Sequence, residues 1–303
     1  MKIKKFFKIL VCLLLANIQT VTALEKPRES MNGYFINMKR DLLCLMLAYP
    51  EYIVDIEKVN ADKVYLILKS GKKLIYDDKI VRNEEEKLNN GDLQDMMEQI
   101  YPMDRIDSVQ PKSFNPGRIR VYPLFSEVYG NSQTQIEKQI EYVGNNGFSK
   151  NNGASLALKN VFKEINEVSK TTNIAAYVYP TCGAYNYRYV RGAGRLSAHA
   201  FGIAIDLKTN SADYWKWSKP ETATKRISKY PQELIDIFER NNFIWGGKWG
   251  YFDIMHFEYR PEIILKGKYF GKSFNGDDTW YKGIDEKDDK IMNLIKLIDD
   301  KLQ

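Results

Sequence analysis

The sequence is poor in the residues that most often carry chemistry. It has two histidines and three cysteines in 303 residues, which excludes a disulfide-stapled scaffold or a cysteine-rich zinc module. Long apolar runs are also missing. The run near the start, Ile9 to Ala16, falls short of the ~20 residues a membrane-spanning helix needs. Nor is there a real excess of one charge. The formal +6 includes Lys2, Lys4, Lys5 and Lys8; without them 41 basic residues face 39 acidic ones, a net +2. A nucleic-acid partner is therefore not expected. What is present is an ordinary globular composition, 44% hydrophobic and 28% charged. That is enough chain for one large domain or two small ones, with a core that needs no disulfide.

The lysine-rich start, the short apolar run and the small residues Val21-Thr22-Ala23 read as an export signal over residues 1–23. The alternative is an uncleaved N-terminal anchor. The mature protein is then expected in the cell wall, periplasm or extracellular space, with no stable membrane span. Once Cys12 is lost with the signal, Cys44 and Cys182 remain. They are read either as a disulfide or as free thiols, Cys44 being buried in an apolar helix.

In the mature chain, Asp41 to Tyr49 reads as a buried helix stopped by Pro50. Lys63 to Leu68 and Lys72 to Tyr76 read as a hairpin around Ser70-Gly71, and Glu84 to Tyr101 as a polar helix. Asn115-Pro116-Gly117 is a turn, and the Asn- and Gly-rich Val143 to Ala154 reads as a loop between two halves. Leu158, Val161, Phe162, Ile165 and Val168 recur at helical spacing, as do Ile291, Leu294, Ile295, Ile298 and Leu302. Asn173 to Tyr179, Phe201 to Leu207 and Met255 to Tyr259 read as strands, and Pro231 to Arg240 as a helix with Pro at its start. The irregular alternation of helices and short strands points to an α+β fold. The boundaries are a region at 24–150, a core at 151–265 and a C-terminal extension with an amphipathic helix at 266–303.

Both histidines sit in informative neighbourhoods. His199 lies in Ser197-Ala198-His199-Ala200-Phe201-Gly202-Ile203-Ala204-Ile205-Asp206, and His256 in Asp253-Ile254-Met255-His256-Phe257-Glu258. Two His and one Asp meet the ligand requirement of a catalytic zinc, which keeps a fourth position for water. Asp206 is the only charge between Arg195 and Lys208, and a lone carboxylate ending an apolar stretch needs a compensating partner. Each histidine alone reads rather as a hydrogen-bonded structural residue, with Asp206 as a strand-end cap; for the pair, spacing leaves the two readings level.

The pattern Ser197-x-His199-x-x-Gly202-x-Ala204-x-Asp206, followed by Asp253-x-x-His256, resembles the M15 family of zinc peptidases from about Tyr179 to Pro261. That family contains D-alanyl-D-alanine carboxypeptidases and endolysin-type L-alanyl-D-glutamate peptidases. The resemblance implies a core with a small antiparallel sheet carrying one zinc ion on His199, Asp206 and His256, preceded by an extra α+β N-terminal region. Asp253 takes the position of the catalytic acid, with Glu258, on the same strand face as His256, as second candidate. A cation beside the metal holds a substrate carboxylate or the oxyanion. Arg188 is the first choice, with Arg195 and Arg191 as rivals. Ser197 orients a ligand, Gly202 permits a turn or close approach, and Trp245 and Trp249 wall the cleft or pack behind it. The implied substrate is a peptidoglycan stem peptide, cut as a carboxypeptidase would. The alternatives are an L-alanyl-D-glutamate-type endopeptidase and a non-catalytic wall-binding scaffold.

Overall fold

The computed structural model describes residues 31–60, 63–190, 194–272 and 278–303. The expected export segment, Cys12 and Arg191 lie outside them. The elements run α1 (Met31–Ala48), β1 (Ile53–Asn60), β2 (Lys63–Leu68), β3 (Lys73–Ile75), α2 (Glu84–Asn90), α3 (Leu93–Met97), α4 (Tyr122–Tyr129) and α5 (Gln133–Glu137). They continue with β4 (Ile140–Val143), β5 (Asn146–Ser149), α6 (Ala154–Val168), α7 (Ala175–Val178), β6 (Ala204–Asp206), α8 (Pro220–Ser228) and α9 (Gln232–Arg240). Last come β7 (Phe243–Trp245), β8 (His256–Tyr259), α10 (Pro261–Phe270) and α11 (Asp289–Leu302). Three small antiparallel sheets result: β1-β2-β3, the hairpin β4-β5, and β6-β8-β7. The fold is α+β.

Several sequence expectations change in register or kind. The helix expected from Asp41 begins at Met31, ten residues earlier, and buries Met38, Leu42, Leu45 and Met46. The polar helix expected over 84–101 is two helices. Asn83 and Asp92 each form a capping box, with Glu86 and Asp95 respectively, and Gly91 separates them. A second cap inside the segment restarts the helix. Val143 to Ala154 holds the β4-β5 hairpin, closed by the two residues Gly144-Asn145, and the 3-10 turn Asn151–Gly153 that leads into α6. Asn173 to Tyr179 is not a strand. It forms the short helix α7, because Ile174 and Val178, four residues apart, are both buried on one side. Cys44 is buried and Cys182 exposed, and both are free thiols.

One apolar core runs through the N-terminal region, the ligand-bearing sheet and the last helix. Helix α1 packs on α10 and α11. Its Asp41 accepts from Tyr76 at 2.9 Å and pairs with Lys266 at 2.6 Å. Helix α11 buries Ile291, Ile295 and Ile298. No helix among the described residues is long and apolar enough to cross a membrane.

Candidate metal centre

The site is built on the shortest elements of the fold. Ser197 Oγ accepts from the Ala200 amide at 3.2 Å and so caps the 3-10 turn Ala198–Phe201 that carries His199. Gly202 ends that turn with φ +69°, and a Cβ there would lie 2.5 Å from Ile140 Cδ1. Only glycine meets both demands. The chain then enters β6, where Asp206 stands directly opposite His256 of β8. Directly opposed residues of an antiparallel pair hold their Cβ atoms about 5 Å apart. The strand expected over 201–207 is thus shortened to Ala204–Asp206, because the capped turn claims its first residues.

His199 Nδ1 lies 2.7 Å from the Ala184 carbonyl oxygen. A carbonyl only accepts, so Nδ1 carries the proton and the Nε2 lone pair faces Asp206 Oδ2, 3.4 Å away. His256 Nδ1 lies 2.9 Å from Asp206 Oδ1, while its Nε2 lies 3.5 Å from Glu258 Oε2. Burial opposes charge on His256, but the bonds to Asp206 and Glu258 outweigh it and push its pKa up to about 10. Burial likewise opposes charge on Asp206, yet both histidines hold its carboxyl well below the usual carboxylate range.

The three donor atoms lie within 4.8 Å of one another. Ligands ~2 Å from a tetrahedral zinc sit roughly 3.4 Å apart, so donor atoms within 4.8 Å of one another are close enough to converge on one ion. The donor set, two imidazole nitrogens and one carboxylate, leaves a fourth position open. Both histidines also offer their remaining nitrogen to an oxygen acceptor, the outer support that metal-binding histidines require. The residues fit a zinc ion.

The ligands line a cleft of about 290 Å³ together with Asp253, Trp249, Tyr251, Tyr214, Trp215, Trp217 and four arginines, Arg118, Arg120, Arg188 and Arg195. Asp253 Oδ1 is buried and has no hydrogen-bond partner among the described residues. Burial pushes its pKa up to about 7; His256 and Arg118 pull the other way, while Asp206 and Asp213 add to the rise. A carboxyl near neutrality with a free oxygen is suited to taking and returning a proton. A larger cavity, about 1190 Å³, lies by the β4-β5 turn and α6, but it holds none of the three ligands.

The other expected residues separate clearly. Arg188 is exposed at the cleft, and its carbonyl accepts from the Ser197 amide at 3.1 Å. Arg195 also lines the cleft and donates to Asn89 Oδ1 at 2.7 Å. Trp249 walls the cleft, its ring centre 5.6 Å from that of His256 and its Nε1 donating to the Pro116 carbonyl at 2.8 Å. Trp245 does not reach the cleft: it is fully buried, stacks on Tyr230 and donates from Nε1 to the Ile254 carbonyl at 2.7 Å. Glu258 is fully buried and bonded through both oxygens to Arg120, with Arg260 3.4 Å away. Burial works to raise its pKa, but Arg120 leads the forces that hold it far below the usual range. Both of its oxygens are thus engaged by Arg120, and one of them faces His256 Nε2 at 3.5 Å.

Sequence reasoning missed Arg118 and Arg120. The turn before them was legible, and the structure shows what it does. Asn115 Oδ1 accepts from the Tyr251 amide at 3.1 Å, and the Phe114 carbonyl accepts from Gly250 at 2.7 Å. A Cβ on Gly250 would lie 2.0 Å from the Pro111 oxygen. The N-terminal region therefore clamps the Trp249–Tyr251 wall and inserts its own arginines beside the ligands.

Compared with known families, residues 191–259 match the M15 family model described as D-alanyl-D-alanine carboxypeptidase. The matched segment contains His199, Asp206, Asp253 and His256 and supports an M15-family peptidase. No curated protein and no solved structure matches the chain at a significant level.

Proposed function

We propose, from the M15-family match over residues 191–259, that this chain is an exported zinc-dependent peptidase that cleaves peptidoglycan stem peptides in the manner of a D-alanyl-D-alanine carboxypeptidase. The observation that carries the reading is the meeting of His199, Asp206 and His256 in one cleft with the unpartnered Asp253 oxygen. His199 Nε2, His256 Nδ1 and Asp206 would hold one zinc ion. When bound, it supplies a Lewis acid for the scissile carbonyl and lowers the pKa of a water to about 7.

The chain's own residues do the rest. Asp253 accepts a proton from the attacking water at Oδ1 and returns it to the leaving amine, so the water oxygen ends on the carbonyl carbon and the C–N bond breaks. Arg188, exposed at the cleft, meets the charge that develops on the carbonyl oxygen. Ser197 fixes the turn behind His199, and Glu258 fixes His256 through Nε2. Trp249 and its aromatic neighbours border the substrate.

Mass spectrometry of a wall pentapeptide ending in D-Ala-D-Ala tests the reading, with added zinc, with a chelator and with His256→Ala. Zinc-dependent loss of one alanine is the expected result. An internal cut moves the protein to the endopeptidase class, and an unchanged mass in a folded, zinc-loaded sample removes the carboxypeptidase reading.

A further inference from the structure

The four arginines of the metal cleft are unequally committed. Arg120 is bonded to Glu258 through two nitrogens, and Arg195 is bonded to the neutral Asn89. Arg188 is exposed to water. Arg118 is different: it is partly buried, and among the described residues its guanidinium has no carboxylate partner. Arg120 and Arg195 press on it with like charge, Asp253, Tyr214 and Tyr251 also lie within reach of its field, and burial together with the two arginines holds its pKa below the ordinary arginine value.

Its placement is well determined. Its amide donates to the Asn115 carbonyl at 3.1 Å, closing the turn, and its own carbonyl accepts from Arg120 Nη1 at 3.3 Å. The guanidinium carbon lies 4.9 Å from the centre of the Tyr251 ring, a cation–π contact that keeps the group at the cleft wall. Asp253 feels its charge. A desolvated cation among like charges costs free energy unless an anion meets it. In this cleft the two carboxylates are already assigned, Asp206 to the histidines and Asp253 to the proton. The missing anion therefore arrives with the substrate.

We infer that Arg118, supplied by the N-terminal region, is a specificity-determining residue that anchors a substrate carboxylate beside the scissile bond. The inference rests on the wall-peptide reading above. A carboxylate, which can accept two parallel N–H bonds, is the anion that a guanidinium matches best. A stem peptide offers two such groups, the C-terminal carboxylate and the free carboxylate of its glutamate. Residues 24–150 are then part of the substrate site as well as of the core.

The test uses the full zinc-loaded protein, with Arg118→Met and Arg118→Lys, on three pentapeptides: the free acid, the C-terminal amide and the glutamate amide. Arg118→Met is expected to raise KM for the free acid by about 10- to 100-fold, the worth of a charged hydrogen-bonded pair. Zinc content changes little, the KM effect exceeds any change in kcat caused by the loss of the Arg118 charge beside Asp253, and Arg118→Lys recovers part of the loss. The effect disappears on whichever amide removes the recognised carboxylate, which separates the two sources. Equal losses on all three peptides, or no loss, overturn the inference. Calorimetric binding of the same peptides to Asp253→Asn, with and without Arg118→Met, gives a second readout. If the wild type cleaves none of the peptides the proposed activity fails, and this binding arm still decides: equal affinity for acid and amides overturns the role of Arg118.

Discussion

Two clusters among the described residues bring three ligand-type side chains within 4.8 Å of one another: His199, Asp206 and His256 in the cleft, and Asp77, Asp78 and Asp92 before α3. They differ in what already balances their charge. In the second cluster, Arg82 bonds Asp78, Lys79 pairs with Asp77 at 2.8 Å, and Asp92 accepts from the amides of Asp78 and Asp95. Those carboxylates cap turns and close local ion pairs. In the cleft, Asp206 meets only the two histidines, and these donate their other nitrogens away from it or to Glu258. Grouped carboxylates are thus common products of turn chemistry. A metal site needs neutral donors aimed inward and supported from behind.

The sharpest way to break the comparison is to remove a ligand from each side. His256→Ala or Asp206→Ala is expected to abolish zinc uptake, measured as metal per chain. Peptide hydrolysis should fall at least ~10³-fold, since a Lewis acid is worth several kcal/mol and each 1.4 kcal/mol is tenfold. The matching change Asp78→Asn should leave zinc content at one ion per chain. Zinc uptake that depends on Asp78 instead would reverse the assignment.

Asp253→Asn separates chemistry from metal binding. The variant keeps the side-chain volume and the ligands but loses the proton acceptor, so kcat should drop about 10²- to 10⁴-fold at unchanged zinc content. A fully active variant would remove Asp253 from the mechanism.

Glu258→Gln tests support from behind. It leaves Arg120 and Arg260 without the carboxylate they share and weakens the partner of His256 Nε2. Breaking a buried pair costs about 3–5 kcal/mol, read as a lower denaturation midpoint, and a lost outer partner costs about 10- to 100-fold in zinc affinity. Unchanged stability would mean that the arginines find other acceptors.

These residues also mark how far the sequence could be read. That His199, Asp206 and His256 would meet, with Asp253 in the same cleft, was legible because the geometry is local: a capped turn, a glycine and two paired strands place them within short, patterned segments. Arg120 and Glu258, 138 positions apart, carry no such pattern. An arginine after a turn looks like any solvated charge until the fold brings the β8 carboxylate to it. The same limit applies to the elements. Strand β1 mixes Val54 and Val59, both exposed, with Asp55, Glu57 and Lys58, so it lacks the β-rich run beside a turn that made β2 and β3 legible. Asn173 to Tyr179 is rich in β-formers yet folds as a helical turn, because burial of Ile174 and Val178 outweighs propensity.

The smallest effect belongs to the acidic cluster. Asp92 has its pKa raised to about 6, first by burial and then by the charges of Asp95 and Asp77. Arg82 is 3.7 Å away, beyond hydrogen-bond reach, and its charge is shared with Asp78 and Asp95. The folded state therefore holds the Asp92 proton more tightly than the unfolded chain, where an aspartate titrates near 3.9. Stability from this group is fully present below about pH 4 and is lost as pH rises through about 6. Asp92→Asn keeps the N-cap bond from the Asp95 amide, since asparagine caps as well as aspartate, but gives up the acceptor for the Asp78 amide and removes the titration. Denaturation midpoints measured from pH 4 to 7 should show a flatter decline for the variant. Zinc content should not move, because no Asp92 atom touches the cleft ligands. A parallel pH dependence in variant and wild type would mean that Arg82 already holds Asp92 ionised, which would make the second cluster a closed ion-pair network throughout.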